Sequence, residues 1–209
     1  MLVLVNRPST SHHFAAEIDV SRETLQRLQI YHDLLLRWNS RVSLVGKSTL
    51  VDIWRRHFLD SAQLVHCLPK KPKVWVDIGS GAGFPGMVLA ILNAGTVHLV
   101  ESNQRKCAFL REVARMTQTN VEIHNERVEH LDPWPSDVIT ARAVAPVAKL
   151  LEISRSFVTA NSTCLFLKGQ DIDDELTEAR KYWKMSIDFT PSVADYRGTI
   201  LRLTRISHV

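Results

Sequence analysis

The sequence predicts an α/β fold: a mostly parallel sheet with helices on both faces, closed by a C-terminal antiparallel hairpin and preceded by an N-terminal helical extension. Three observations predict it. From Val74 onward, short apolar runs alternate with helix-length amphipathic segments, the pattern of strand–helix–strand units. The first run leads straight into VWVDIGSGAGFPGM at 74–87, a turn with four glycines in eight positions. The last two strand-like runs, 185–190 and 199–206, are joined through Tyr196-Arg197-Gly198 with no helix between them, which suits an antiparallel pair.

Each element follows from local pattern. Leu25, Leu28, Tyr31, Leu35 and Trp38 recur at spacings of three and four, giving one apolar helix stripe over 21–38 with Ser21 as N-cap. A second helix is expected over 49–67, with Trp54, Phe58, Ala62 and Val65 on one side. Pro69 and Pro72, among lysines, mark a boundary between a helical extension, 1–73, and a main domain, 74–209. In the main domain strands are expected at 74–78, 97–101, 120–124, 137–141 and 163–168. Helices are expected between them, at about 85–93, 104–117, 146–158 and 172–184.

Composition narrows the class. A chain of 209 residues buries roughly 70% of its unfolded surface, enough to fold without disulfides or a structural metal. No apolar run approaches the ~20 residues of a membrane span, and the apolar start at Leu2–Val5 is too short for a signal-peptide core. Cys67, Cys107 and Cys164 are odd in number and far apart; they read as buried thiols of a cytoplasmic protein, not as metal ligands. Residues 1–73 hold 11 Lys and Arg against 6 Asp and Glu, whereas 74–209 hold 15 against 16. The positive excess therefore lies in the extension, where it suits an anionic partner such as nucleic acid or a plain solvated face.

The glycine turn fits two cofactors. Gly81 to Gly86 spells G-x-G-x-x-G, the dinucleotide pattern, and Asp77 to Gly83 spells D-x-G-x-G-x-G, the S-adenosylmethionine pattern. Glu101, at the end of the second strand, could take ribose hydroxyls in either case. Asp77 before the first glycine would repel a pyrophosphate and favour the ammonium of a methionine moiety. Pro85, expected at the first helical position, removes an N–H that a pyrophosphate would use. No Tyr-x-x-x-Lys pair of the short-chain dehydrogenase type occurs. These features favour S-adenosylmethionine and leave an oxidoreductase behind it.

Several segments then line up in order: Trp38-Asn39, Arg56-His57-Phe58-Leu59-Asp60-Ser61, Asp77 to Gly86, Glu101 to Lys106, Arg127-Val128-Glu129, Ala141-Arg142-Ala143 and Leu167-Lys168-Gly169. With these the chain resembles the bacterial 16S ribosomal RNA guanine-N7 methyltransferases, also called glucose-inhibited division protein B. It departs from them at Ser43-Leu44-Val45, where members often carry Asn and Thr, and at Glu101, where many have Asp. The resemblance implies a Rossmann-like class I methyltransferase sheet and methylation of a guanine in the 530 loop, with 16S rRNA or the small ribosomal subunit as partner. It carries over cofactor contacts at Gly79, Phe84, Val128, Glu129 and Arg142, to which the residues themselves add Ser80, Gly81 and Glu101. A monomer without metal or membrane attachment is expected.

Roles follow from chemistry. Gly79 and Gly81 would let backbone approach the donor, Phe84 would cover its apolar side, and Val128 and Glu129 would meet the adenine. Arg142 and Lys168, at the carboxyl ends of strands four and five, are candidates for positioning substrate and, with Arg55 and Arg56, for binding RNA. Arg37, Arg41 and Lys47 add to the basic face. His57 and Asp60, three apart, either pair locally or reach the active site. Guanine N7 attacks through an in-plane lone pair and loses no proton, so no general base is expected and alignment carries the reaction. Removing the extension is expected to spare donor binding and abolish RNA methylation. A methyltransferase acting on another RNA or on protein, and a module that binds the donor without transfer, remain alternatives.

Overall fold

The structure is a computed structural model that describes residues 9–68, 70, 72–169 and 172–209. The apolar start at Leu2–Val5 and Pro69 of the expected boundary lie outside the described residues. Seven strands form one sheet in the order β3-β2-β1-β4-β5-β7-β6, with β1 Val74–Ile78, β2 Thr96–Val100, β3 Glu122–His124, β4 Ser136–Arg142, β5 Val158–Lys168, β6 Trp183–Pro191 and β7 Thr199–His208. The first five are parallel; β7 runs antiparallel to both β5 and β6. Strand order reverses between β1 and β4, the place where open α/β sheets bind ligands beyond their carboxyl ends.

The helices are α1 Ser11–Glu17, α2 Arg22–Asn39, α3 Asp60–Ala62, α4 Gly86–Ile91, α5 Gln104–Thr117, α6 Val147–Ser154 and α7 Ile172–Ala179. Ser21 caps α2 as expected, its Oγ accepting from Thr24 N at 3.2 Å. The single helix expected over 49–67 is broken instead: a 3-10 stretch Lys47–Asp52, a π-helical turn Trp54–Leu59, the short α3 and a second 3-10 stretch Gln63–Cys67. Ile53, Trp54, His57, Phe58 and Leu59 are all buried, a wider arc than one face of a regular α-helix covers. Elsewhere β5 starts five residues earlier than expected, because Val158 pairs with Ser136 across a bulge. α7 stops at Ala179 because buried Trp183 already opens β6 opposite His208.

Two cores lie on the two faces of the sheet. One is built from α6, α7 and the hairpin around Phe157, Phe166, Trp183 and Leu203. The other takes Phe14, Leu28, Tyr31, Trp54 and Phe58 from the extension together with Phe84, Leu89 and Phe109 of the main domain. Tyr31 stacks on Phe84 at 5.2 Å between centroids, and Phe58 meets both rings edge-on at 5.2 and 5.3 Å. Each buried ring contributes roughly 1.5–3 kcal/mol, so extension and glycine turn are held by one shared core. At the opposite edge the three-residue β3 is tied to β2 by His98 and His124, whose ring nitrogens lie 3.1 Å apart beside Trp134.

Candidate functional site

The glycine turn is shaped by backbone that only glycine adopts readily. Gly79, Gly81 and Gly83 have φ of +65°, +59° and +94°. A Cβ on Gly83 would lie 2.7–2.9 Å from Met87 Cβ, the Tyr31 hydroxyl and Leu110 Cδ2, so this glycine serves the core. A Cβ on Gly81 would meet nothing closer than Gly79 O at 3.7 Å and would stand in open space at the cleft.

Asp77 corrects the sequence reading. It is buried, its Oδ1 accepting from Thr140 Oγ1 at 2.7 Å and its Oδ2 from Gly86 N at 3.2 Å. Burial pushes its carboxyl up to about 6, against the pull of these hydrogen bonds. It braces the turn from below and does not line the cleft, so it is no direct partner for an ammonium group. Pro85 sits just before α4, and Gly86 is the first helical residue.

Above the turn opens a cleft of about 640 Å³ at the carboxyl edge of the sheet. It brings together Gly79, Ser80, Gly81, Phe84, Arg142, Lys168 and Arg56 of the expected site. Arg142 is its hub. Nη1 donates to Arg56 O at 3.1 Å and lies 3.6 Å from Asp60 Oδ2; Nη2 lies 2.8 Å from His57 Nδ1; the guanidinium covers the Phe84 ring at 5.1 Å. His57 and Asp60 thus line the cleft and both contact Arg142 rather than pairing with each other. Burial, with the Arg142 and Arg56 charges, pushes the His57 imidazole down to about 3, so it is neutral at physiological pH. Burial raises the Asp60 carboxyl, opposed by Arg142. Lys168 pairs with Glu175 and donates to Ala145 O at 3.1 Å, so its charge is already partly spent.

The other expected residues lie off this cleft. Glu101 is buried and accepts from Gly81 N at 2.9 Å and Asn103 N at 2.7 Å, which places its carboxylate against the turn. Val128 is buried in the second core and Glu129 is exposed beyond it. Arg55 is exposed and lies 3.3 Å from Asp52. Arg37, Arg41 and Lys47 are exposed too.

Sequence reasoning missed several participants. Asn39 Oδ1 accepts from both Leu44 N and Val45 N at 2.9 Å, which holds the departing Ser43-Leu44-Val45 segment with Leu44 and Val45 on the cleft wall. Thr49 Oγ1 lies 2.8 Å from His57 Nε2, and Asp195 pairs with Arg56 at 3.4 Å. Asp60 is bound by Gln63, three residues on, and by Ser192, 132 residues away, which also accepts from Gln63. Trp38-Asn39 had a local signal and Gln63 sits one turn from Asp60, whereas Ser192 and Asp195 meet the extension only through the fold.

A seven-stranded sheet of this order, with a glycine turn after its first strand and a cleft at the carboxyl edge, is the class I methyltransferase architecture. Its likeness to solved structures agrees: TYW2 from M. jannaschii in complex with AdoMet superposes with a TM-score of 0.57 at 12% identity, covering 81% of this chain and 80% of that one. The family described as GidB, rRNA small subunit methyltransferase G, matches residues 24–200, and the chain belongs to that family. The ribosomal RNA small subunit methyltransferase G of Rhodospirillum rubrum is 53% identical over 197 residues, 94% of this chain and 98% of that protein. That of Paramagnetospirillum magneticum is 50% identical over 188 residues, 90% and 92% respectively.

Proposed function

We infer that this chain transfers a methyl group from S-adenosylmethionine to N7 of a guanine in the 530 loop of 16S ribosomal RNA. One observation carries the reading: the open face of Gly81 and the Arg142 hub share one cleft, in a chain of the rRNA small subunit methyltransferase G family. The residues fit the donor. Gly79, Ser80, Gly81 and Phe84 line the cleft, Phe84 as an apolar wall. Glu101, Val128 and Glu129, which lie off the cleft, are assigned to the ribose and adenine side by the sequence reading alone. When bound, S-adenosylmethionine supplies an electrophilic methyl group on a sulfonium.

The chain supplies position and charge. Arg142, held on three sides, offers a fixed cation at the strand end, where it can orient a carboxylate or the O6/N7 edge of guanine. His57 is neutral with both ring nitrogens engaged, and Asp60 is bound by Arg142, Gln63 and Ser192. Lys168 is tied to Glu175. The acceptor atoms of His57 and Asp60 are thus engaged, which agrees with a ring-nitrogen acceptor that has no proton to give. Arg56 and Lys168 add cationic surface for phosphate at the cleft; the reading takes the enzyme as a cytoplasmic monomer whose reaction calls for no metal. The test is to incubate the protein with radiolabelled S-adenosylmethionine and small ribosomal subunits lacking this methyl group, then map the label. Label at N7 of one 530-loop guanine is expected. Unlabelled RNA with the donor still bound would overturn the reading.

A further inference from the structure

The exposed apolar surface of this chain is unevenly spread. Val193 and Tyr196, on the β6–β7 connection 192–198, are 60% and 92% exposed, and Phe189 near the end of β6 is 52% exposed. Exposed apolar residues gathered at one end of a hairpin are a starting point for an interaction site. It borders the cleft: Ala194, Asp195, Arg197, Gly198 and Thr199 line it, so Tyr196 projects from the rim.

This connection is rigidly held. Ser192 N donates to Gly198 O at 3.0 Å, and Gly198 N donates to Asp195 O at 2.8 Å. Ser192 Oγ donates to Asp60 Oδ1 and accepts from Gln63 Nε2, both at 3.0 Å, while Val193 N donates to Gln63 Oε1 at 3.0 Å. Asp195 pairs with Arg56 at 3.4 Å. The backbone is fixed to the helical extension through the same Asp60 that contacts Arg142, yet the tyrosine at its tip is left in solvent. Beside it the Arg197 guanidinium lies over the ring at 5.5 Å. A preorganised aromatic face next to a cation is the combination that single-stranded nucleic acids use, with a base on the ring and a phosphate on the arginine.

We propose that Tyr196 is a nucleobase-stacking subsite at the mouth of the cleft, taking an unpaired base that neighbours the target guanine. The proposal rests on the RNA reading above. It adds a base contact on the β6–β7 connection to the guanine edge expected at Arg142 and the phosphate contacts expected from the basic extension. Arg197 keeps its place beside the ring with Asp195 Oδ1 3.6 Å from its Nε. Because Tyr196 is 92% exposed, its replacement leaves the cores intact.

The experiment compares wild type, Tyr196→Ala and Tyr196→Phe in methylation of small subunits and in binding of a single-stranded oligoribonucleotide. Stacking losses at single-stranded sites correspond to about 5- to 150-fold in affinity. Tyr196→Ala is expected to raise KM for RNA within that range, with kcat at saturating RNA and the Kd for S-adenosylmethionine unchanged. Tyr196→Phe, which keeps the ring, should stay within about twofold of wild type. Unchanged KM in Tyr196→Ala would overturn the subsite, as would an equal loss in Tyr196→Phe, which would assign the role to the hydroxyl. Loss on whole subunits with unchanged oligonucleotide binding would assign Tyr196 to a ribosomal protein and also overturn it. Failure of the wild type to methylate small subunits would strike the proposed function alone; oligonucleotide binding weakened by Tyr196→Ala and restored by Phe would still support the subsite.

Discussion

Arg142 Nη2 stands 2.8 Å from His57 Nδ1, and this contact sets the tautomer of the histidine. A guanidinium only donates, so Nδ1 accepts and the ring proton resides on Nε2, which donates to Thr49 Oγ1 at 2.8 Å; Thr49 in turn donates to Gly46 O at 2.7 Å. The chain of donors runs one way, from a permanent cation through a neutral imidazole to a backbone carbonyl. It fastens the π-helical turn Trp54–Leu59 to the end of β4.

That arrangement makes folding sensitive to acid. The His57 imidazole is pushed from an ordinary value near 6.5 down to about 3 by burial and by the Arg142 and Arg56 charges. The unfolded chain therefore takes up a proton that the folded one refuses. His57 contributes full stability above pH ~6.5 and loses it as pH falls toward 3, with a slope of about 1.4 kcal/mol per pH unit. Asp77, raised from 3.8 to about 6, acts in the opposite sense: its contribution falls as pH rises from about 4 to 6. Urea unfolding between pH 4 and 7.5 should show the His57→Gln variant losing less stability toward acid than wild type. Parallel curves would contradict this.

Arg142 holds three partners at once, and its replacements should separate charge from shape. Arg142→Ala leaves Asp60, whose side chain is only 17% exposed, without its cation and is expected to cost about 3 kcal/mol. Arg142→Lys restores charge near Asp60 but not the fork that reaches Arg56 O and His57. It should recover most of the melting temperature while methyl transfer stays about tenfold or more below wild type. A lysine variant with full activity would show that the fork is dispensable.

Two glycines of one turn should fail differently. Gly81→Ala meets no atom nearer than 3.7 Å and pays only the left-handed backbone penalty of about 1–2 kcal/mol. Its methyl stands at the cleft, so donor affinity should fall far more than stability. Gly83→Ala adds contacts of 2.7–2.9 Å with Met87, Tyr31 and Leu110, and overpacking of about 1–3 kcal/mol should show first in thermal melting. Equilibrium dialysis with labelled S-adenosylmethionine beside calorimetry distinguishes the two. Wild-type donor affinity in Gly81→Ala would refute the placement of that face.

Deleting residues 1–73 should do more than remove an RNA-binding surface, contrary to the sequence expectation. Tyr31 and Phe58 pack directly on Phe84, and the Tyr31 hydroxyl donates to Ala82 O inside the glycine turn. Without them the face carrying Phe84, Leu89 and Phe109 meets water. The 74–209 fragment is expected to lose its near-ultraviolet circular dichroism and its donor affinity. A soluble fragment with native donor affinity would sink this view.

The amino-acid sequence alone determined the strand–helix alternation, the closing hairpin and the glycine turn, because each is written in local periodicity or in glycine spacing. The choice of S-adenosylmethionine over a dinucleotide came instead from the residues around the turn and from the family resemblance. Gly81 and the strand-end position of Arg142 were likewise legible in local pattern, while Gly79, Phe84 and Arg142 as cofactor contacts came from the family resemblance. The tertiary structure alone decided what those residues touch. It turned Asp77 inward, seated Glu101 against Gly81 N, paired Lys168 with Glu175 and broke the single helix expected over 49–67. It also joined Arg142 to His57 across 85 residues and Ser192 to Asp60 across 132. Contacts of that range depend on how two faces of a sheet are covered, and the burial that drives them is a property of the packed whole rather than of any segment read by itself.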